Sequence, residues 1–436
     1  MEESIKIGVA GLGKVGASLV KIIQQQADHL KKSYGCSFVV SAVSARNRYM
    51  DRDVNIFDAE WFDDPVQMAD KAKIDIFVEL IGGEGYPAHE SVRSALMRGC
   101  HVVTANKALI ATHGTDLALL AQKNGVFLGF EAAVGGGIPI IKALKDSLAC
   151  NEVIRIYGII NGTCNYILSH MEKSGLSFEE CLQESKRCGY AEDNAELDIS
   201  GIDSSHKIAI LSSIAFGVRT SCEGIYCEGI SDITLEDMRA ASDFGYCIKL
   251  VAIAYRTDKG IVRCVYPALL KRDSMVALVG GTTNAVVIET DILGKLVMAG
   301  PGAGGDPTAS AVLRDICDIT QMNHRQSTSF SLGCAISPVK YGQLNDIIDQ
   351  EKEYFIRLKI RNHEGVLDQI ISQMTKFCIS FRIVSCPHQD QDTQECFVCM
   401  ITHNVLGSFV RKAIKYIHEK NKDVKFSRVI CIESFE

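Results

Sequence analysis

The N-terminal stretch constrains the fold more than any other part of the chain. Residues 5–10, IKIGVA, form an apolar run of strand length, followed at once by GLGKVG and by a helical pattern reaching about Lys32. A strand, a G-x-G-x-x-G turn and a helix make the fingerprint of a dinucleotide-binding βαβ unit. Gly11 permits the tight turn, Gly13 lets the backbone approach a pyrophosphate, and Gly16 lets the helix pack closely. The pyrophosphate would sit on the helix N-terminus, where backbone N–H groups have no intrahelical partner. Gly11, Leu12, Gly13, Lys14, Val15 and Gly16 are therefore cofactor-binding candidates.

The next strand, about 37–43, continues into Ser44-Ala45-Arg46-Asn47-Arg48, where an NAD-selective site would place an acidic residue. Arg46 and Arg48 point to the 2′-phosphate of NADP rather than to NAD, the alternative being two solvated arginines. Strand patterns at 74–80, 101–104 and 126–130 alternate with helical patterns at 87–98 and 115–123. That alternation predicts an α/β doubly wound parallel sheet. It fills residues 1–130 and is expected to be completed by 305–330. Ligands in such sheets bind outside the carboxyl ends of the strands, which puts Leu80–Gly83 and Thr104–Lys107 at the cofactor edge. Thr104 and Lys107 join the candidates on that ground.

Composition excludes several classes. A chain of 436 residues, 47% hydrophobic, has material for two or three domains. The net charge of −7 is dispersed, which argues against a nucleic-acid partner. No apolar run reaches the length of a bilayer span, so no membrane partner is expected. The chain enters a strand at once, without a signal-peptide pattern. Its 17 cysteines are scattered and odd in number, which suits free thiols in a reducing cytoplasm. Cys396 and Cys399 make a CxxC, but at this odd offset in a strand they face opposite ways, as structural cysteines would.

At Glu131 the pattern changes. EAAVGGGIP places three glycines before Pro139, a bend that either exposes carbonyls to a hard monovalent cation or is a tight connection. A strand at 152–160 is followed by Asn161-Gly162-Thr163 and a helix. Ser177 and Glu180 form a capping box opening the next helix, and Gly189 sits where it would stop. The stretch Gly189–Lys207 holds Glu192, Asp193, Glu196, Asp198, Asp203 and Lys207. Asp203 lies near the N-terminus of an apolar helix ending at Gly217, and Lys207 lies one turn later on the same face. An acidic pocket fits a substrate ammonium, and a lysine inside it could move a proton; a solvated loop is the plain alternative. Strands are expected at 246–257, 261–266, 275–279 and 284–290, then a glycine-rich loop, GPGAGGDP, before a helix at 308–320. This is a mixed α+β region, 131–304. After a linker at 331–352, residues 353–436 run βαββαβ, the order of a ferredoxin-like sandwich. No metal-ligand spacing of histidines and no Walker or G-x-S-x-G sequence appears.

Taken together, GLGKVG, ELIGG, VVTANKALIATHG, EAAVGGGIPII, GIINGTCNYIL, GYAEDNAELDISGIDSSHK and GPGAGGDPTASAV resemble homoserine dehydrogenase over about Ile5–Val312. The tail resembles an ACT domain, with His363-Glu364-Gly365-Val366-Leu367 in place of the usual Lys-Pro-Gly-Val-Leu. With no kinase domain upstream, the chain is similar to the monofunctional form.

The resemblance implies reversible NAD(P)-dependent interconversion of L-aspartate 4-semialdehyde and L-homoserine, on the way to threonine, methionine and isoleucine. It implies Lys207 as proton donor or acceptor, Glu192 as the ammonium partner, and Asp198 and Asp203 as substrate-holding and catalytic groups. Lys107 would stand at the cofactor–substrate junction and Gly304 near bound cofactor. Glu131, Val134, Gly136 and Ile138 would hold a monovalent ion, usually Na+. Asn362, Gly365, Val366 and Leu367 would face an effector, expected to be L-threonine, in a homodimer or homotetramer. Two other readings remain: a semialdehyde oxidoreductase using the Cys164 thiolate, and a non-catalytic amino-acid sensor.

Overall fold

The computed structural model describes residues 4–192, 194–322, 332, 350–361, 365–389 and 395–435. Six parallel strands form the first sheet: β1 (Ser4–Ala10), β2 (Ser37–Ser44), β3 (Glu60–Phe62), β4 (Ile76–Glu79), β5 (His101–Thr104) and β6 (Leu128–Gly129). Their spatial order is β3-β2-β1-β4-β5-β6, so the order reverses between β1 and β4. That reversal opens the crevice in which such sheets take a ligand. Alternation along each strand feeds two cores. Ile7, Val9, Ile76, Val78 and Val103 face the Lys14–Gln25 helix together with Ala309, Val312 and Ile316. Ala10, Phe77 and Val102 face Val92, Leu96 and Leu109 on the other side. A helix from far along the chain, Gly305–Met322, thus covers one face of the N-terminal sheet.

The helix expected at 115–123 begins earlier, at Lys107, because Asn106 caps it by accepting from the Leu109 N–H at 3.1 Å. Gly114 obscures the pattern, yet it sits inside this helix because Thr220 packs against it, with Cγ2 3.2 Å from where a Cβ would stand.

A second, mixed sheet holds β7 (Val153–Ile159), β8 (Tyr226–Cys227), β9 (Tyr246–Thr257), β10 (Gly260–Lys271), β11 (Thr283–Thr290) and β12 (Lys295–Pro301). Residues 275–279, expected as a strand, form turns instead. The partner of β11 is β12, hidden in the sequence by Gly294 at its start and by Gly300-Pro301 at its end. After β13 (Glu351–Lys352) come β14 (Tyr354–Arg361), β15 (Phe381–Gln389), β16 (Glu395–Thr402), β17 (Val405–Leu406) and β18 (Val424–Glu433). Helices Val366–Lys376 and Gly407–Lys420 complete the strand–helix–strand–strand–helix–strand order, with strands arranged β18-β14-β16-β15. This unit is not a separate sandwich. Ala268–Leu270 of β10 pair in parallel with Cys431–Glu433 of β18, which joins the two sheets. Beyond its short pairing with β8 at Cys264–Val265, the apolar end of β10 would otherwise present an unpaired edge. Cys396 and Cys399 do face opposite ways, one into the C-terminal core and one into the central core.

Candidate active site

The site forms where the carboxyl edge of the first sheet meets the helices on the second. Asn161 follows β7 and caps the Gly162–Ser174 helix, its Oδ1 accepting from Cys164 N at 2.8 Å. Its Nδ2 donates to Asp198 Oδ1 at 2.7 Å and to Asp203 Oδ2 at 2.8 Å. Asp198 comes from a single helical turn, Glu196–Ile199, and Asp203 from the first turn of Ile202–Phe216, with Gly201 between them at φ +85°. One amide therefore gathers two carboxylates from consecutive elements.

Asp203, only 4% exposed, lies between two ammonium groups. Lys107 Nζ is 2.8 Å from its Oδ1, and Lys207 Nζ is 2.8 Å from its Oδ2. Lys207, 7% exposed, also donates to the carbonyl of Ile160 at 2.7 Å. An ammonium carries three N–H groups, so two are engaged and the third is available to a ligand. Burial pushes the Asp203 carboxyl up, but Lys207 and Lys107 outweigh it and hold the group well below the usual carboxylate range. The Lys107 ammonium is raised, first by the charge of Asp203 against the opposing effect of burial, with Asp198 and Glu192 adding to it. Asp198 is pushed up, by burial and then by the charge of Asp203. Two neighbouring carboxyl groups thus have affinities for protons driven in opposite directions, the arrangement by which sites assign charge and proton roles.

The structure brings Lys107, Asp198, Asp203 and Lys207 together, with exposed Glu192 contributing to the field at Lys107. Asp193 lies outside the described residues, as does Asn362 with His363 and Glu364. Gly365 opens the Val366–Lys376 helix at φ +84°, with Val366 buried and Leu367 half-buried. Cys164 is fully buried: its thiol donates to Asp198 O at 3.1 Å, and burial pushes it well above the usual range. A thiolate mechanism has no nucleophile there.

At the cofactor edge, Gly11 stands at φ +100° with Leu80 O 2.4 Å from where a Cβ would be. Gly16 meets the Gly11 carbonyl at 2.0 Å in the same sense, so it packs on the glycine turn more closely than on a strand. Nothing lies within 4 Å of a Cβ on Gly13, and no side chain caps the Lys14–Gln25 helix it precedes. That open, uncapped terminus fits a pyrophosphate. Gly305 brings the second glycine-rich loop to the Lys14–Ser18 turn, and Gly304 beside it takes φ +123°. Arg46 and Arg48 are exposed, and the Arg48 guanidinium lies 5.7 Å over the Trp61 ring. Arg52, which sequence reasoning passed over, is the arginine that reaches the glycine turn, donating to Leu12 O at 3.1 Å. Asn161 was likewise missed as a site residue, although an Asn before a helix is a capping signal.

The Glu131 carboxylate is spent on backbone, accepting from Ile141 N at 2.9 Å and Lys142 N at 2.8 Å. Val134 and Ile138 are buried, and Gly135 and Gly136 take positive φ between them. Hard, neutral carbonyl oxygens are the donors such a turn offers, which fits a monovalent cation better than a transition metal.

Comparison with known proteins agrees with this geometry. A family model described as homoserine dehydrogenase matches residues 139–317, and its NAD-binding-domain counterpart matches 11–131. The homoserine dehydrogenase of Pseudomonas aeruginosa is 38% identical over 416 residues, covering 94% of each chain. The chain belongs to the homoserine dehydrogenase family. That of Neisseria gonorrhoeae is 36% identical over 434 residues, 99% of each. The crystal structure of a homoserine dehydrogenase from Thiobacillus denitrificans superposes with a TM-score of 0.92 at 36% identity, covering 100% of this chain and 99% of that one. A hyperthermophilic archaeal homoserine dehydrogenase in complex with NADPH superposes with a TM-score of 0.63 at 28% identity, covering 73% of this chain and 98% of that one. Like the rest of the family, this chain is an NAD(P)-dependent oxidoreductase. Among the described residues no helix is long and apolar enough to cross a membrane.

Proposed function

We propose that this homoserine dehydrogenase interconverts L-aspartate 4-semialdehyde and L-homoserine with Lys207 as the proton-transferring group. The observation that carries the reading is Asp203, buried between Lys107 and Lys207 and fixed by Asn161. The nicotinamide supplies or accepts the hydride at the substrate's C4. Lys207, oriented by Asp203 and by the Ile160 carbonyl, gives its third N–H to the substrate oxygen as the aldehyde becomes an alcohol. In the reverse direction it takes that proton back. Asp198, held by Asn161, is assigned to accept a hydrogen bond from substrate, and Glu192 is assigned to the substrate ammonium. Lys107 stands between the cofactor edge and the acidic pair.

The same reading divides the chain into a cofactor domain (1–130 with 305–330), a catalytic and dimerisation domain (131–304), a linker (331–352) and an ACT-like regulatory unit (353–436). Gly365, Val366 and Leu367 open its first helix and are assigned to threonine. NADP is assigned as the preferred cofactor through Arg46 and Arg48, with Arg52 added. Na+ is assigned a structural role on the carbonyl oxygens of Glu131, Val134, Gly136 and Ile138. A cytoplasmic homodimer or homotetramer completes the proposal.

The test follows nicotinamide absorbance with purified protein, L-homoserine, and NADP or NAD, with and without L-threonine. Turnover with homoserine is expected, faster with NADP, and lowered by threonine. No turnover in either direction despite cofactor binding would overturn the catalytic reading. Unchanged rates with threonine would remove the effector assignment alone.

A further inference from the structure

Glu79 ends β4, beside the point where strand order reverses, and its side chain is 0% exposed. Among the described residues it accepts from four neutral donors. Oε1 takes Ile81 N at 2.7 Å, Gly82 N at 3.0 Å and Asn106 Nδ2 at 3.4 Å, while Oε2 takes the Thr104 hydroxyl at 2.5 Å. A buried carboxylate is costly unless its oxygens are satisfied, and here both are.

The four donors belong to the two loops that line the cofactor edge. Ile81 and Gly82 lie in the turn whose Leu80 backbone abuts Gly11 of the glycine turn. Thr104 Oγ1 in turn accepts from Asn106 N at 2.9 Å, and Asn106 Nδ2 donates to Gly83 O at 2.6 Å. Asn106 is the N-cap of the helix whose first residue is Lys107. Lys107 reaches Asp203, which Lys207 shares. An anion at the start of a 17-residue helix also complements its dipole. One carboxylate therefore ties the pyrophosphate turn, the loop after β4 and the base of Lys107 into a single geometry.

We propose that Glu79 is a positioning residue for the reaction: it sets where Lys107 stands relative to the cofactor and to Asp203. The proposal rests on the assignment of Lys107 to the cofactor–substrate junction. Glu79→Gln is the informative variant, since it keeps the shape, keeps an acceptor for Ile81 and Gly82, and removes the charge and the acceptor of the Thr104 hydroxyl. Glu79→Gln is expected to keep a cooperative thermal transition while kcat falls about 10- to 100-fold. NADPH affinity, read by fluorescence titration without substrate, is expected to weaken about 3- to 10-fold. Lys107→Ala and the double variant separate positioning from plain structural support, because residues acting through one another are not additive.

If Glu79 works through Lys107, the double variant turns over no more slowly than Lys107→Ala alone. Losses that multiply, or a folded Glu79→Gln enzyme with normal kcat and normal NADPH affinity, overturn the proposal. A Lys107→Ala enzyme with full activity overturns it too, and separately refutes the junction assignment, which the single variant tests alone. Should Glu79→Gln not fold, Thr104→Val removes one arm of the network. The same non-additivity with Lys107→Ala is expected there, and multiplying losses refute the proposal.

Discussion

Asp203 is a carboxylate whose affinity for protons burial raises and two lysines lower by more. Asp203→Asn therefore leaves two ammonium groups facing each other with no anion between them. Breaking a buried ion pair from one side costs about 3–5 kcal/mol, and turnover is expected to fall at least about 100-fold while NADPH affinity changes little. Steady-state rates with homoserine and a fluorescence titration with NADPH check the two halves, and a loss confined to NADPH binding refutes the role. The sign of the pH effect follows from the lowered affinity for protons. The stability that Asp203 contributes is present above about pH 4, the ordinary carboxylate value, and is lost as pH falls through the lower folded value. Acid unfolding should be less steep in Asp203→Asn than in the parent. The contact of Lys207 with Asp203 was legible in the sequence because a lysine one turn after an aspartate shares its helix face, while their roles came from the family resemblance. Asn161 and Glu79 were not, because their role lies in long-range hydrogen bonds that sequence spacing does not encode.

Among the elements, the edge of the first sheet offers a test of its own. His101 begins β5 and accepts from Phe127 N at 3.0 Å through Nδ1, which extends the β5–β6 pairing by one contact. The ring must be neutral at Nδ1 to accept. Burial pushes its affinity for protons down, partly offset by the charge of Asp75. Stability from this group is present above about pH 6.5, the unperturbed histidine value, and is lost as pH falls through the lower folded value. His101→Asn, which retains an acceptor that does not titrate, should show a smaller drop in melting temperature between pH 7 and pH 5. An identical drop in both proteins would show that His101 does not govern it. Elements with a clean period, such as β1, β9 and Phe178–Arg187 with its capping box, were readable from residue pattern alone. Those marked by glycine were not: only the part of the Lys107–Lys123 helix beyond Gly114 was expected, and Gly294 with Gly300-Pro301 concealed β12.

At the scale of the molecule, the α+β region and the C-terminal unit, read as successive domains, share one sheet. The second sheet runs without a break from β12 to β15, with β10 and β18 as the seam. Next to that seam lies a buried pair. Arg357 of β14 donates from Nε to Asp237 Oδ1 at 2.8 Å, the two side chains being 4% and 0% exposed. The guanidinium also lies between the rings of Phe397 and Phe426, 4.8 and 5.2 Å from their centroids. Asp237 caps its own helix with Thr234 and has Arg428 Nε at 3.7 Å as a weaker second cation. The βαββαβ order sets 353–436 apart as a unit of its own in the sequence, yet a planar cation stacked on two rings and aimed at a capping carboxylate fixes orientation as well as contact. Removing one side strands the other in a dry interface, so Arg357→Ala should cost about 3–5 kcal/mol. Arg357→Met combined with Asp237→Asn removes both charges, and the double variant should be destabilised by less than the sum of the single ones. Urea unfolding followed by circular dichroism measures the difference. Strictly additive losses would mean that the two groups do not act as a pair.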